Sequence, residues 1–279
     1  MKEEKIELKV PYDIFDCKKD EFKATLTAYV DDDCSEKKQA VIVVPGGAYF
    51  FVCIDHEGEP MVSSYRKEGF RTFMLEYSVV PNVFPAALLE LFAAIKYVKE
   101  NADKYGVDAD EVYICGFSAG GHLCGSAATL YKEEIFLNAL DTNAKMLKVA
   151  GAILSYPVIS SGEFAHRDSF INLLGMDDVT ESEYYKYVSL EKLVHKEMPP
   201  VFIWTTLKDT LVPMENSMLF AQALKDVDVD VEFHLYPMGD HGMSRRDVTP
   251  DMDEKEKKMR VYINNWFDAA VNWIRNRNL

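Results

Sequence analysis

The most restrictive feature of this chain is an apolar run, Val112-Tyr113-Ile114-Cys115, that enters Gly116-Phe117-Ser118-Ala119-Gly120-Gly121 and continues into a small-residue stretch from His122 to Leu130. The order reads as strand, sharp turn and closely packed helix. In the pattern Gly-x-Ser-x-Gly, small flanking residues let the backbone fold tightly and leave a strained serine with its hydroxyl exposed. The chemistry suggested is attack on an acyl carbon. Five residues alone also describe an ordinary glycine-rich turn. The β-branched and aromatic run before them and the alanines and glycines after them supply the context that the nucleophilic reading requires.

The chain has 279 residues, 48% of them hydrophobic, which suits one large α/β domain over residues 1–279 better than two. No segment approaches the ~18 uninterrupted apolar residues of a membrane span. The start, Met1-Lys2-Glu3-Glu4-Lys5, leads into no apolar signal-peptide core, so the expectation is a soluble, cytoplasmic protein. A net charge of −15 disfavours nucleic acid and anionic membranes as partners. The five cysteines, Cys17, Cys34, Cys53, Cys115 and Cys124, are odd in number and scattered, and they indicate neither a disulfide framework nor a zinc site. Asp31-Asp32-Asp33 reads as a solvated turn between early strands rather than a metal site.

Periodicity organises the rest. Phe22 to Val30 alternates like a half-buried strand and suggests an antiparallel edge, whereas Ala40 to Val44 is continuously apolar, like a strand covered on both faces. Helices are expected at about 57–68 and 85–100, the second with an apolar face through Leu88, Leu91, Ile95 and Val98, and Arg71 to Tyr77 forms a strand between them. After the serine turn, strands are expected at Val149–Ser155, Val201–Thr205 and Val231–Tyr236, with helices around 213–226 and 255–276. The stretch 158–198 has no clear strand. Its aromatics, Phe164, Phe170, Tyr184, Tyr185 and Tyr187, suit packing in a small helical insertion or cap over the sheet. Strand and helix alternation of this kind predicts a doubly wound, mostly parallel sheet whose ligand crevice lies beyond the carboxyl ends of its strands.

Ser118 needs a base, and the base needs a group to orient it. Of the six histidines, His241 in Gly239-Asp240-His241-Gly242 follows the last strand in a glycine-flanked loop. His234 lies within that strand, His122 begins the helix after the serine, His56 follows the early glycine loop, and His166 and His195 fall in or beside the insertion. His241 completes the chain order serine, acid, histidine. The acid should lie between them at a strand end, which favours Asp209. Asp240 adjoins His241 and its side chain tends to diverge from it; Asp226, Asp228 and Asp230 crowd a helix-to-strand turn. A second glycine motif, Pro45-Gly46-Gly47-Ala48-Tyr49, closes the buried strand at 40–44 and can turn backbone N–H groups toward an oxyanion, as can the N–H of Ala119. Tyr49, Phe50 and Phe51 offer either a flat surface for a sugar ring or packing against the sheet.

These residues resemble the α/β-hydrolase superfamily, and more narrowly its hormone-sensitive-lipase-like branch that includes bacterial acetyl-xylan esterases and xylan-debranching esterases. The resemblance covers roughly 35–245 and includes Ile153 to Ile159, Ser169 to Gly175 and Val212 to Ser217. It implies the α/β-hydrolase fold, with Ser118 as nucleophile, His241 as general acid and base, Asp209 as orienting acid, and Gly47, Ala48 and Ala119 as backbone oxyanion donors. The donor motif departs from the histidine and three glycines frequent in the lipase-like enzymes, having Pro45 first and Ala48 in the last glycine's place. The implied substrate is acetylated xylose or xylo-oligosaccharide, with Tyr49 and Phe50 at the sugar, no metal and no organic cofactor, and room for assembly as a homo-oligomer. A broader short-chain carboxylesterase, an amidase or peptidase on small acyl compounds, and a noncatalytic binding protein are the competing readings.

Overall fold

The computed structural model describes residues 2–31, 33–245, 249 and 251–277. Its strands are β1 (Lys2–Glu7), β2 (Thr25–Val30), β3 (Lys38–Val44), β4 (Arg71–Glu76), β5 (Val107–Phe117), β6 (Gly151–Ser155), β7 (Val201–Thr206) and β8 (Val231–Tyr236). They form a single sheet in the order β1-β2-β4-β3-β5-β6-β7-β8. From β4 to β8 every pairing is parallel, while β1–β2 and β2–β4 are antiparallel. The expected antiparallel character of β2 is present, but β2 is not the edge. Lys2–Glu7 adds a strand outside it, and this strand is so charged that no apolar alternation reveals it.

Side chains alternate across the sheet and sort the core into two layers. Ile42, Val44, Ile114, Leu154 and Ile203 face one side with α2 (Ala86–Glu100), α4 (Ala119–Leu130) and α8 (Glu215–Asp226). Val41, Val43, Cys115, Phe117 and Trp204 face the other, against α1 (Glu59–Lys67) and α9 (Glu254–Arg275). There Trp204 stacks on Trp266 of α9 at 4.8 Å. Burying such a side chain contributes roughly 2–3 kcal/mol, so these contacts fix α9 against the sheet. α2 is buried nearly all round rather than along one stripe, and its Glu90 accepts hydrogen bonds from Tyr12 and Ser78.

Short helices α3 (Ala102–Tyr105), α5 (Glu134–Ala139) and α6 (Ala144–Leu147) complete that first layer. The stretch 158–198 contains no strand; it holds α7 (Arg167–Leu174) and single turns at Val179–Glu181, Tyr185–Tyr187 and Leu190–Lys192. Its aromatics pack, with Phe170 edge-on to His122 at 5.4 Å and Tyr184 against Phe84 at 5.4 Å. Asp31 is not a solvated turn residue, since it pairs with Arg66 and with the buried Arg71. Asp32 lies outside the described residues.

Candidate active site

β3 and β5 are neighbours where the strand order reverses, and their carboxyl ends deliver the two glycine motifs side by side. At the end of β5, Ser118 adopts φ 52° and ψ −117°, a left-handed conformation rare outside glycine. The flanking glycines are required by close approach. A Cβ on Gly116 would lie 2.2 Å from the Gly120 carbonyl oxygen, and one on Gly120 would lie 2.2 Å from that of Val44. The turn is then pinned by Ser118 N–H donating to Ser155 O at 3.0 Å, while Ser118 O accepts from His122 N at 3.0 Å.

The loops after β7 and β8 bring Asp209 and His241 to that serine. His241 Nε2 lies 2.8 Å from Ser118 Oγ, and Nδ1 lies 2.7 Å from Asp209 Oδ2. The Asp209 side chain is fully buried, and its other oxygen accepts from Leu211 N at 3.0 Å and Val212 N at 2.9 Å. An ionised carboxylate only accepts, so Nδ1 carries the proton and Nε2 is left to take the hydroxyl hydrogen of Ser118. Thr206 Oγ1 donates to Gly239 O at 2.8 Å, tying the two loops together. The arrangement can deprotonate a serine and hand the proton on.

In the glycine loop after β3, Gly47 sits at φ 128°, where a Cβ would meet Phe51 O at 2.1 Å. Ala48 and Tyr49 both follow at φ 56°. Two consecutive side-chain-bearing residues in this region cost on the order of 1–3 kcal/mol each, and such strain persists only where surrounding contacts over-determine it. The contacts are present. Asn172 Nδ2 of α7 donates to Ala48 O at 2.8 Å, Val80 N donates to Tyr49 O at 3.0 Å, and Tyr49 Oη meets His122 Nδ1 at 2.8 Å. His122 Nε2 lies 2.9 Å from Val188 O, which can only accept, so Nδ1 accepts from Tyr49. Burial holds this histidine neutral, with its pKa pushed down to about 4. Ala119 opens α4, where its N–H has no carbonyl one turn back to bond.

The Tyr49 ring is only 2% exposed and packs between His122 and Tyr77, so it presents no flat surface for a sugar. Phe50 and Phe51 are 65% and 53% exposed. Sequence reasoning passed over Asn172 and gave His122 no part in the site. Asn172 lies within Ser169 to Gly175, but nothing in that stretch points to a partner 124 residues away. Among the described residues, no group of three or more His, Cys, Asp or Glu side chains is placed to hold a metal ion. No helix among them is long and apolar enough to cross a membrane.

A model of the BD-FAE family matches residues 26–224. The chain is similar to an endo-1,4-beta-xylanase B of Butyrivibrio fibrisolvens, 37% identical over 232 residues, which is 80% of this chain and 35% of that protein. It is also similar to an acetylxylan esterase of Xylanibacter ruminicola, 28% identical over 80% of this chain and 44% of that protein. The chain thus spans less than half the length of either relative. The crystal structure of an acetyl ester-xyloside bifunctional hydrolase from Caldicellulosiruptor lactoaceticus matches with a TM-score of 0.77 and 32% identity, covering 92% of this chain and 89% of that one.

Proposed function

Because the chain belongs to the BD-FAE family of α/β-hydrolases, we propose that it is a serine carboxylesterase that removes acetyl groups from acetylated xylose or xylo-oligosaccharides. The observation that carries this reading is the relay of Asp209, His241 and Ser118, closed at 2.7 and 2.8 Å. Ser118 Oγ attacks the acetyl carbon as its proton passes to His241 Nε2. The oxyanion of the tetrahedral intermediate is met by the N–H groups of Gly47, Ala48 and Ala119, each such donor being worth ~3 kcal/mol. His241 then protonates the departing sugar oxygen, and the acetyl group remains on Ser118. Water loses a proton to His241 and attacks the acyl carbon; the bond to Ser118 Oγ then breaks, His241 returns the proton to Oγ, and acetate leaves. Asp209 holds Nδ1 of His241 in place and steadies the imidazolium that forms twice in the cycle.

The sugar assignment draws support from the similarity to an acetylxylan esterase and to an acetyl ester-xyloside hydrolase, and from the exposed rings of Phe50 and Phe51. In this reading residues 1–279 act as one domain, and the stretch 158–198 caps the site through Asn172. A broader short-chain carboxylesterase is the second reading, favoured by the exposed Leu207 and Leu211 on the loop that carries Asp209. Acetate release from acetylated xylo-oligosaccharides by wild type and a folded Ser118→Ala variant separates the two. Release abolished by the variant is expected; turnover of simple acetate esters with none of the sugars would leave the broader enzyme.

A further inference from the structure

We propose, resting on the serine esterase reading, that Glu57 is a positioning residue whose buried carboxyl couples the oxyanion-donor loop to the loop carrying His241. Glu57 belongs to a π-helical turn, Ile54–Gly58, directly after the donor loop, and π turns of this kind recur at functional sites. It is 5% exposed. Oε2 accepts from Gly46 N at 2.8 Å, and Oε1 accepts from Tyr156 Oη at 2.7 Å. Tyr156 Oη in turn accepts from Ser244 N at 3.2 Å, three residues beyond His241. Ser244 Oγ donates to His56 O at 3.0 Å, next to Glu57 in the chain. The Tyr156 ring lies edge-on to the His241 imidazole at 5.0 Å.

Each contact reaches a different part of the site. Gly46 is pressed so closely on the nucleophile that a Cβ there would lie 2.9 Å from Ser118 Cβ, and it immediately precedes the donors Gly47 and Ala48. Tyr156 follows β6 and braces both the imidazole and Ser244. One side chain therefore sets the spacing between the oxyanion donors, the serine and its base. A lone carboxyl of this burial is costly unless its oxygens are satisfied, and both are occupied here by donors from the site itself. Burial raises its pKa, while the hydrogen bonds from Tyr156 Oη and Gly46 N, and after them His241 and His56, oppose that rise. Because catalysis tolerates little displacement of reacting groups, loosening this brace should slow turnover before it weakens ground-state binding.

Glu57→Gln offers one acceptor where two donors converge, and Tyr156→Phe removes the bridging hydroxyl while keeping the ring. Both variants would be assayed on 4-nitrophenyl acetate beside wild type and Ser118→Ala, with folding checked by circular dichroism. The expected result is a kcat about 10- to 100-fold lower in Glu57→Gln, a smaller loss in Tyr156→Phe, and KM within about twofold of wild type in each. Should Glu57→Gln fail to fold, Tyr156→Phe decides by the same split. A folded variant with wild-type kcat, or with its loss confined to KM, overturns the proposal. Turnover retained by Ser118→Ala would instead overturn the esterase reading, and this proposal with it.

Discussion

The two glycine loops at the reversal of strand order reach left-handed backbone by opposite routes. At Ser118 the strain is accommodated by the absence of side chains in its own segment, because Gly116 and Gly120 let β5, α4 and β3 approach to distances that a methyl group would forbid. At Ala48 and Tyr49 the strain is borne by residues with side chains and is held from afar, by Asn172, Val80 and His122. The Ser118 backbone is therefore set by small residues of its own segment closing against β3 and β6, whereas the Ala48–Tyr49 backbone is set by groups that reach in from three other parts of the chain. The difference has measurable consequences.

The largest effect should come from attacking the local device. Gly120→Ala puts a methyl group 2.2 Å from Val44 O and 2.4 Å from Pro45 O, both backbone atoms that cannot yield without moving β3. We expect a loss of more than ~3 kcal/mol, read as failure to purify a folded chain or as a collapse of the chemical denaturation midpoint. Survival at wild-type stability would mean that the serine turn is far more pliant than these distances allow.

The remote props should respond to acid. His122 is neutral in the folded chain with a pKa near 4, against an ordinary 6.5, so the unfolded chain binds its proton first as pH falls. Its contribution is whole above about pH 6.5 and is lost progressively toward pH 4, on the order of 3 kcal/mol in all. Urea titrations at a series of pH values should show that slope in wild type and a flatter one in His122→Gln. Equal slopes would remove His122 from the account. The smallest effect is expected at Ala48, where glycine relieves the left-handed backbone but loosens the unfolded chain. Ala48→Gly should change stability by no more than about 1 kcal/mol, in the stabilising direction, with the Asn172 contact intact. A clear loss of stability would show that the methyl group, and not the backbone alone, is held.

The same contrast explains what could be read in advance. Ala40–Val44 announced a central parallel strand because both its faces are covered, Val112–Cys115 announced the strand before the serine turn, and the strand ends pointed to Ser118, Asp209 and His241. β1 escaped notice because an outer strand of Lys and Glu carries no apolar period. Glu57 stands at the start of the helix expected at 57–68, and nothing in that segment points to its partner Tyr156, 99 residues on. For Tyr49 the sequence left a sugar surface and packing against the sheet both open, and the structure decides for packing through His122, 73 residues away. Periodicity reports the surface that a segment must cover; it carries no information on which distant side chain completes a loop.

The claim on which the rest depends is that Ser118 is the nucleophile. Incubation of wild type with a fluorophosphonate, followed by intact-mass measurement and peptide mapping, tests it without assuming a substrate. A single phosphonyl adduct on Ser118, formed slowly or not at all when His241 is replaced by alanine, is the predicted result. An unlabelled Ser118 in folded wild type, or an adduct on another residue, would contradict it.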